Sequence, residues 1–71
     1  MNYFEAYRDV WDFHKRHSKV LSTDAYWQSA IDESGQIAKK YGNDRFVNDL
    51  LIAVVSELER ISRRGAENAQ T

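Results

Sequence analysis

A chain of 71 residues has room for one domain and one small hydrophobic core. Ten Lys and Arg against eleven Asp and Glu give a formal net charge of −1, which provides no long-range attraction to nucleic acid or to an anionic membrane. The absence of cysteine excludes disulfides and thiolate chemistry, and the first residues lack the pattern of a secretory signal. We therefore expect a cytoplasmic domain that is not embedded in a membrane.

The first predicted helix covers residues 3–18. It begins after Asn2, whose side chain can accept a backbone N–H of the first turn. Its aromatic residues recur at helical spacing, which predicts that they form the bulkiest wall of the core. Phe13 lies at the margin of that face. The residues predicted to share the broad apolar face are Tyr3, Phe4, Tyr7, Val10, Trp11 and His14.

The second predicted helix covers residues 24–41. It is preceded by Ser22 and Thr23, which are good capping residues, and it is ended by the pair Gly42–Asn43. Gly35 lies beside its apolar stripe, where a glycine costs roughly 1 kcal/mol relative to alanine. The sequence therefore predicts a close helix crossing at that glycine. The stripe itself consists of Trp27, Ala30, Ile31, Ile37, Ala38 and Tyr41, and Tyr26 lies off it.

The third predicted helix covers residues 44–64 and begins at Asp44. Its apolar residues span roughly 200° of the helical wheel, which is too much for a surface helix and predicts a central one. Gly65 is expected to end it, leaving a single helical domain at 1–65 and a frayed, disordered tail at 66–71. Three helices joined by short turns predict an all-α, small three-helix bundle.

The third helix carries more apolar surface than two neighbouring helices are expected to cover. A contiguous apolar patch that stays exposed usually marks an interface. We therefore predict a protein–protein interaction or accessory regulatory module without catalytic activity. It would self-associate as a homodimer or other homo-oligomer, or bind another protein. The predicted interface anchors are Leu51, Ile52 and Val55, with Phe13, Trp11 and Tyr26 as secondary candidates.

An alternative hypothesis comes from residues 37–42, Ile-Ala-Lys-Lys-Tyr-Gly. They resemble the first half of a DNA-binding helix-turn-helix, in which Ala packs closely and Gly makes the turn. The pattern departs from that motif at Asn43 and Asn48, where apolar residues are usual. Two aspartates near the start of the next helix would also repel phosphate. The resemblance implies a nucleic-acid-binding regulator that uses a degenerate motif at residues 37–51.

Other candidate chemistry has fewer supporting residues. His14 and His17 lie one helical turn apart, but two imidazoles are too few ligands for a metal site. No serine is paired with a base, and no glycine-rich phosphate loop is present. Basic residues at 15–19 could bind single-stranded nucleic acid if the nearby rings were exposed, but those rings are expected in the core. We therefore predict no catalytic, cofactor or metal site.

Overall fold

The computed structural model describes the backbone of residues 1–69 and the side chains of residues 1–65. It contains three α-helices, α1 (Tyr3–Arg16), α2 (Asp24–Lys40) and α3 (Arg45–Ala69), and this part of the chain has no strand. Each helix packs against both of the others. The predicted all-α three-helix bundle is therefore confirmed. None of these described helices is both long and apolar enough to cross a bilayer.

The helix starts and the turn between α2 and α3 follow the local capping signals. Before each helix, a side-chain oxygen accepts a hydrogen bond from the backbone N–H three residues later: Asn2 at 3.0 Å, Thr23 at 3.2 Å and Asp44 at 3.2 Å. Gly42 and Asn43 both adopt the left-handed conformation, with φ of 65° and 59°. This geometry ends α2 as predicted, because continuing the helix would need a negative φ at both positions.

The end of α3 differs from the prediction. The helix continues through Gly65 to Ala69, so the predicted stop at this glycine is wrong. A glycine inside a helix is unfavourable by roughly 1 kcal/mol, but it keeps its backbone N–H and does not by itself interrupt the hydrogen bonding. Residues 70 and 71 of the predicted tail lie outside the described residues. Disorder of 66–71 in solution stays a prediction.

The side-chain contacts define the helix directions. Glu5 in the first turn of α1 contacts Lys40 at the end of α2, and His17 just after α1 contacts Tyr26 near the start of α2. These two helices are therefore antiparallel. The short turn reverses the chain again, so α3 runs in the same direction as α1.

The core is formed by a few small and medium side chains and one large ring. Phe13, Val47 and Leu58 are the largest fully buried side chains among the described residues. Small residues from α1 and α2 join them, which lets the helix backbones approach closely. The buried apolar residues are Ala6, Val10 and Phe13 of α1, Tyr26 and Ala30 of α2, and Val47, Leu51 and Leu58 of α3.

The aromatic face of α1 is not the core face that the sequence predicts. Tyr3, Phe4, Tyr7 and Trp11 are each more than half exposed. The buried stripe begins at Ala6 and continues through Val10, Phe13 and His17, at the spacing of one helix face. A small residue at the contact brings α1 close to its neighbours, whereas a wall of rings would hold the helices apart. Phe13, which the sequence places at the margin of the apolar face of α1, therefore lies at the centre of the buried face.

Candidate interaction surface

Three of the six predicted interface anchors are used inside the bundle. Phe13 is fully buried, and Tyr26 and Leu51 are buried to within a few per cent of their surface. Burial gives these three side chains a role in the core of the protomer and leaves little of their surface accessible to a partner. Ile52 and Trp11 are exposed, and Val55 is half-buried. The accessible anchors therefore lie on two different surfaces, one on α3 and one on α1.

Tyr26 closes the connection between α1 and α2. Its hydroxyl donates a hydrogen bond of 2.6 Å to the carbonyl oxygen of His17, and its ring lies edge-to-face on Trp27 with centroids 4.8 Å apart. Burial raises the pKa of the Tyr26 hydroxyl, which keeps it a donor at neutral pH. These contacts give Tyr26 a structural role. The sequence pattern missed this role because the acceptor is a backbone atom of the preceding loop.

His17 joins the end of α1 to the middle of α2. Its Nδ1 lies 3.0 Å from the carbonyl oxygen of Phe13, and its Nε2 lies 3.0 Å from Oε2 of Glu33. The other oxygen of Glu33 accepts from Arg16 Nε at 3.0 Å. His14 instead packs edge-to-face on Trp11, with centroids 5.8 Å apart. The two histidines therefore make separate contacts.

No metal-binding constellation is formed by the described residues. Within them, no three His, Cys, Asp or Glu side chains come together in a way that could hold an ion. The buried imidazole of His17 faces a carbonyl oxygen and a carboxylate, and both of these are acceptors. This arrangement suits a hydrogen-bonded structural histidine.

A polar cluster joins α1 to the other end of α2. One carboxylate oxygen of Asp9 accepts from Lys40 Nζ at 2.7 Å and from the Tyr41 hydroxyl at 2.6 Å, while Glu5 lies 3.2 Å from the same ammonium. The bond from Lys40, and then that from Tyr41, lowers the pKa of Asp9. The hydrogen bond to Asp9 raises the pKa of Lys40. Burial, and then the hydrogen bond to Asp9, raises the pKa of the Tyr41 hydroxyl.

An open groove of about 260 Å³ runs beside this polar cluster, between α1 and α2. Its charged residues already pair with neighbours: Lys40 with Asp9, Arg16 with Glu33, and Asp12 with Lys15. These pairs hold the two helices together and leave little charge for a ligand. The residues lining the groove are Asp9, Asp12, Arg16, Gln36, Ile37 and Lys40.

A second groove lies between α2 and α3, and it is largely apolar. Ile52 on α3, 62% exposed, lines it. Ile31 on α2, 59% exposed, lies about one helical turn before the lining residues Ser34 and Gly35, so helical spacing places it beside the groove. Val55 and Leu51 line it from α3, and the volume of its larger section is about 260 Å³. We call this region the α2–α3 surface. Its residues are Ile31, Ser34, Gly35, Ala38, Asn48, Leu51, Ile52, Val55, Ser56 and Glu59.

Gly35 in the α2–α3 surface has no neighbour that explains it. A Cβ built on this glycine meets no atom within 4 Å outside its own local helix backbone. The close helix crossing predicted at Gly35 is therefore wrong within the protomer. With Ser34 and Ala38, the glycine forms a lane of small residues on α2 that leaves the groove open.

Asn48 gives the α2–α3 surface an unsatisfied polar atom. Its amide nitrogen donates a long bond of 3.4 Å to the carbonyl oxygen of Asn43. Its Oδ1 is buried and, among the described residues, accepts no hydrogen bond. A buried acceptor without a donor is unfavourable by about 1–3 kcal/mol. The sequence marked Asn48 only as a departure from the helix-turn-helix pattern.

The second exposed surface is the aromatic face of α1. Phe4 is 73% exposed and Trp11 is 56% exposed. Tyr3 and Tyr7 make edge-to-face contacts with Phe46 of α3, with centroids 5.3 and 5.6 Å apart. The rings are thus partly engaged with the protomer itself. This face is convex, because it lies on a single helix.

The helix-turn-helix hypothesis concerns α2, the left-handed turn and the first part of α3. Asp44 caps α3, and its neighbour Arg45 is exposed. Asp49 is exposed one turn further on, so the start of α3 presents both signs of charge. Comparison with known proteins gives no further guidance, because no family model, curated protein or solved structure matches this chain. The functional argument therefore rests on the α2–α3 surface and its chemistry.

Proposed function

We propose that this chain is a small protein-binding module that self-associates through the α2–α3 surface. The observation that carries the proposal is the exposed Ile52 in an apolar groove, with the exposed Ile31 about one helical turn from Ser34 and Gly35 of the same groove. An apolar patch of this kind usually marks an interface. Three of the predicted anchors, Leu51, Ile52 and Val55, line the groove, and Ile52 is the exposed one.

The energetics favour a weak, reversible dimer. Fully burying an isoleucine side chain contributes about 1.5–3 kcal/mol, and each protomer would bury most of Ile31 and Ile52. Association also has an entropic cost of at least about 4 kcal/mol, which removes much of that gain. The difference is only a few kcal/mol, so we expect a weak dimer with a dissociation constant on the order of 0.1–1 mM.

The shape of the α2–α3 surface favours it over the aromatic face of α1. It is concave, and its lane of Ser34, Gly35 and Ala38 leaves room for side chains from another helix. The rings on α1 already contact Phe46, and Arg8 lies over Phe4 at 6.0 Å.

The cytoplasmic location is a separate proposal, and it is supported by the lack of cysteine in the sequence.

Light scattering coupled to size exclusion tests this proposal over a range of protein concentrations. The wild-type chain is expected to shift from monomer to dimer, whereas Ile52→Lys remains a folded monomer because Ile52 is exposed in the protomer. Ile61→Lys is the matched control, since Ile61 is a partly exposed residue on α3 outside the α2–α3 surface. A wild-type chain that stays monomeric at every concentration would contradict self-association.

Single-stranded nucleic-acid binding is the second candidate function. The observation that favours it is the exposure of Phe4 and Trp11 with Arg8 between them, because exposed rings beside cations can stack on bases. Titrating an oligonucleotide while following tryptophan fluorescence distinguishes this function from self-association. Quenching at low salt that is lost in Trp11→Leu supports it. Unchanged fluorescence, and no gel shift with duplex DNA, removes both nucleic-acid hypotheses.

A further inference from the structure

The outward edge of α3 carries a symmetric pattern around Ile52. Arg45 and Glu59 lie seven residues before and seven residues after it. Seven residues are almost two helical turns, so all three side chains point in nearly the same direction, with neighbours about 10.5 Å apart along the axis. Arg45 and Glu59 are both exposed.

Neither charge is paired with another side chain among residues 1–65. Among the ion pairs formed by residues 1–65, none includes Arg45 or Glu59. Elsewhere on α3, by contrast, Arg60 is paired with Glu57. The edge beside the groove therefore presents a positive end, an apolar centre and a negative end.

We propose that a second copy of this chain packs its α3 antiparallel across the first, with the two-fold axis passing near Ile52. This inference rests on the proposed self-association and specifies its geometry. The two-fold axis places Arg45 opposite the partner's Glu59, and Glu59 opposite the partner's Arg45. A parallel arrangement in the same register would place like charges opposite each other at both ends, which is unfavourable.

The same register brings two polar residues of α3 together. Asn48 and Ser56 lie four residues before and four residues after Ile52, so the antiparallel arrangement brings each near the other on the partner. Ser56 is exposed and carries a hydroxyl donor, while Asn48 Oδ1 is a buried acceptor that no described residue satisfies. Because this oxygen is covered within the protomer, the partner's Ser56 would lie beside Asn48 without reaching that atom. The two charged residues therefore carry the choice of register.

The small residues of α2 complete the fit. Gly35 and its neighbours border the groove beside Ile52, and no atom of the protomer outside the local helix lies within 4 Å of a Cβ built on Gly35. The partner's Ile52 can enter this space, and the symmetry makes the exchange reciprocal. Gly35, which no contact within the protomer explains, is accounted for by this approach.

Charge reversal tests the register by sedimentation equilibrium. Arg45→Glu and Glu59→Arg are each expected to weaken self-association about tenfold, because each turns two attractive pairs into repulsive ones. The double variant should recover the wild-type affinity to within about threefold. Arg64→Glu is the control, because it makes the same charge change on another side of α3 and should change affinity less than about twofold.

Cysteine crosslinking provides a second test, because the chain has no cysteine of its own. A mixture of Arg45→Cys and Glu59→Cys is expected to form disulfide-linked dimers on mild oxidation. Each variant alone should not, because like positions would lie about 20 Å apart along the antiparallel helices. Rapid crosslinking of Arg45→Cys with itself would overturn the antiparallel register.

The outcomes separate this inference from the proposed function. If the wild-type chain dimerises, Ile52→Lys does not, and neither charge reversal changes the affinity, the proposed function stands and the antiparallel register is overturned. Failure of the double variant to recover affinity also overturns it, provided that circular dichroism shows an intact helical fold. A wild-type chain that never dimerises overturns both.

Discussion

Asp9 in the middle of α1 and His17 just after its end both connect α1 to α2. Asp9 accepts hydrogen bonds from Lys40 and Tyr41, and His17 contacts the carboxylate of Glu33. Each acts on a partner that is distant in the sequence, so no local pattern could have indicated these pairs. They show that charged and polar residues, as well as the small core, determine how α1 and α2 are aligned.

The pKa of Asp9 leads to a prediction about acid stability. Its lowered value, caused first by the bond from Lys40, means that the folded protein holds a proton on this carboxylate less readily than the unfolded chain, whose ordinary value is 3.8. The contact therefore stabilises the fold fully above about pH 5, and its contribution is lost as the pH falls through and below 3.8. Asp9→Asn is expected to lower the melting temperature by about 5 °C at pH 7, and this difference should shrink as the pH falls below 3.8.

Circular dichroism melts at a series of pH values, at low protein concentration, measure this difference. Asp49→Asn is the control, because Asp49 is exposed and forms no ion pair within residues 1–65. It should change the melting temperature by about 1 °C or less at every pH. A deficit in Asp9→Asn that stays constant from pH 7 to pH 2 would contradict the proposed role of the carboxylate.

At the scale of the helix, local signals were easier to predict than buried faces. Asn2 and the Gly42–Asn43 turn were predictable because a cap depends on hydrogen bonds to adjacent backbone. The buried face of α1 was not predictable in the same way. Its rings outweigh Ala6 and Val10 in any measure of hydrophobicity, but the neighbouring helices determine which side is covered.

The corrected orientation of α1 predicts unequal effects for two aromatic substitutions. Phe13→Leu is expected to destabilise the fold by about 1–2 kcal/mol, because Phe13 is fully buried and a smaller side chain leaves unfilled space. Trp11→Leu should change stability by about 0.5 kcal/mol or less, because Trp11 is 56% exposed. Urea unfolding of both variants below the association concentration measures the difference. If the two variants lose equal free energy of unfolding, or Trp11→Leu loses more, the result would contradict this orientation of α1 and support the core face that the sequence predicts.

At the scale of the whole molecule, the sequence located part of the α2–α3 surface. Ile52 was identified because it falls outside even the broad apolar arc of α3, a property of one helix that needs no tertiary information. The burial of Leu51, Phe13 and Tyr26 could not be predicted from the sequence, because it depends on how three helices meet. The sequence shows that Gly35 is unfavourable inside α2, but no contact within the described protomer explains why a glycine stands there.

Gly35 links the stability of the protomer to its association. Gly35→Ala is expected to stabilise the isolated protomer by about 0.5–1 kcal/mol, because alanine favours the helix and its Cβ would meet no atom within 4 Å. The same methyl group would narrow the groove and weaken dimerisation about fivefold, since overpacking an interface is unfavourable. Unfolding at low concentration and sedimentation at high concentration measure the two effects separately.

Gly42→Ala is the matched control for Gly35→Ala. Its φ of 65° is unfavourable for alanine, so this variant should destabilise the protomer by about 1 kcal/mol. It lies outside the α2–α3 surface and should leave the affinity between folded protomers unchanged. If Gly35→Ala stabilises the protomer and leaves dimerisation intact, no second copy approaches α2 at this point. If Gly35→Ala instead stabilises the protomer and weakens dimerisation, the result indicates that the glycine is retained in the helix for contact between protomers.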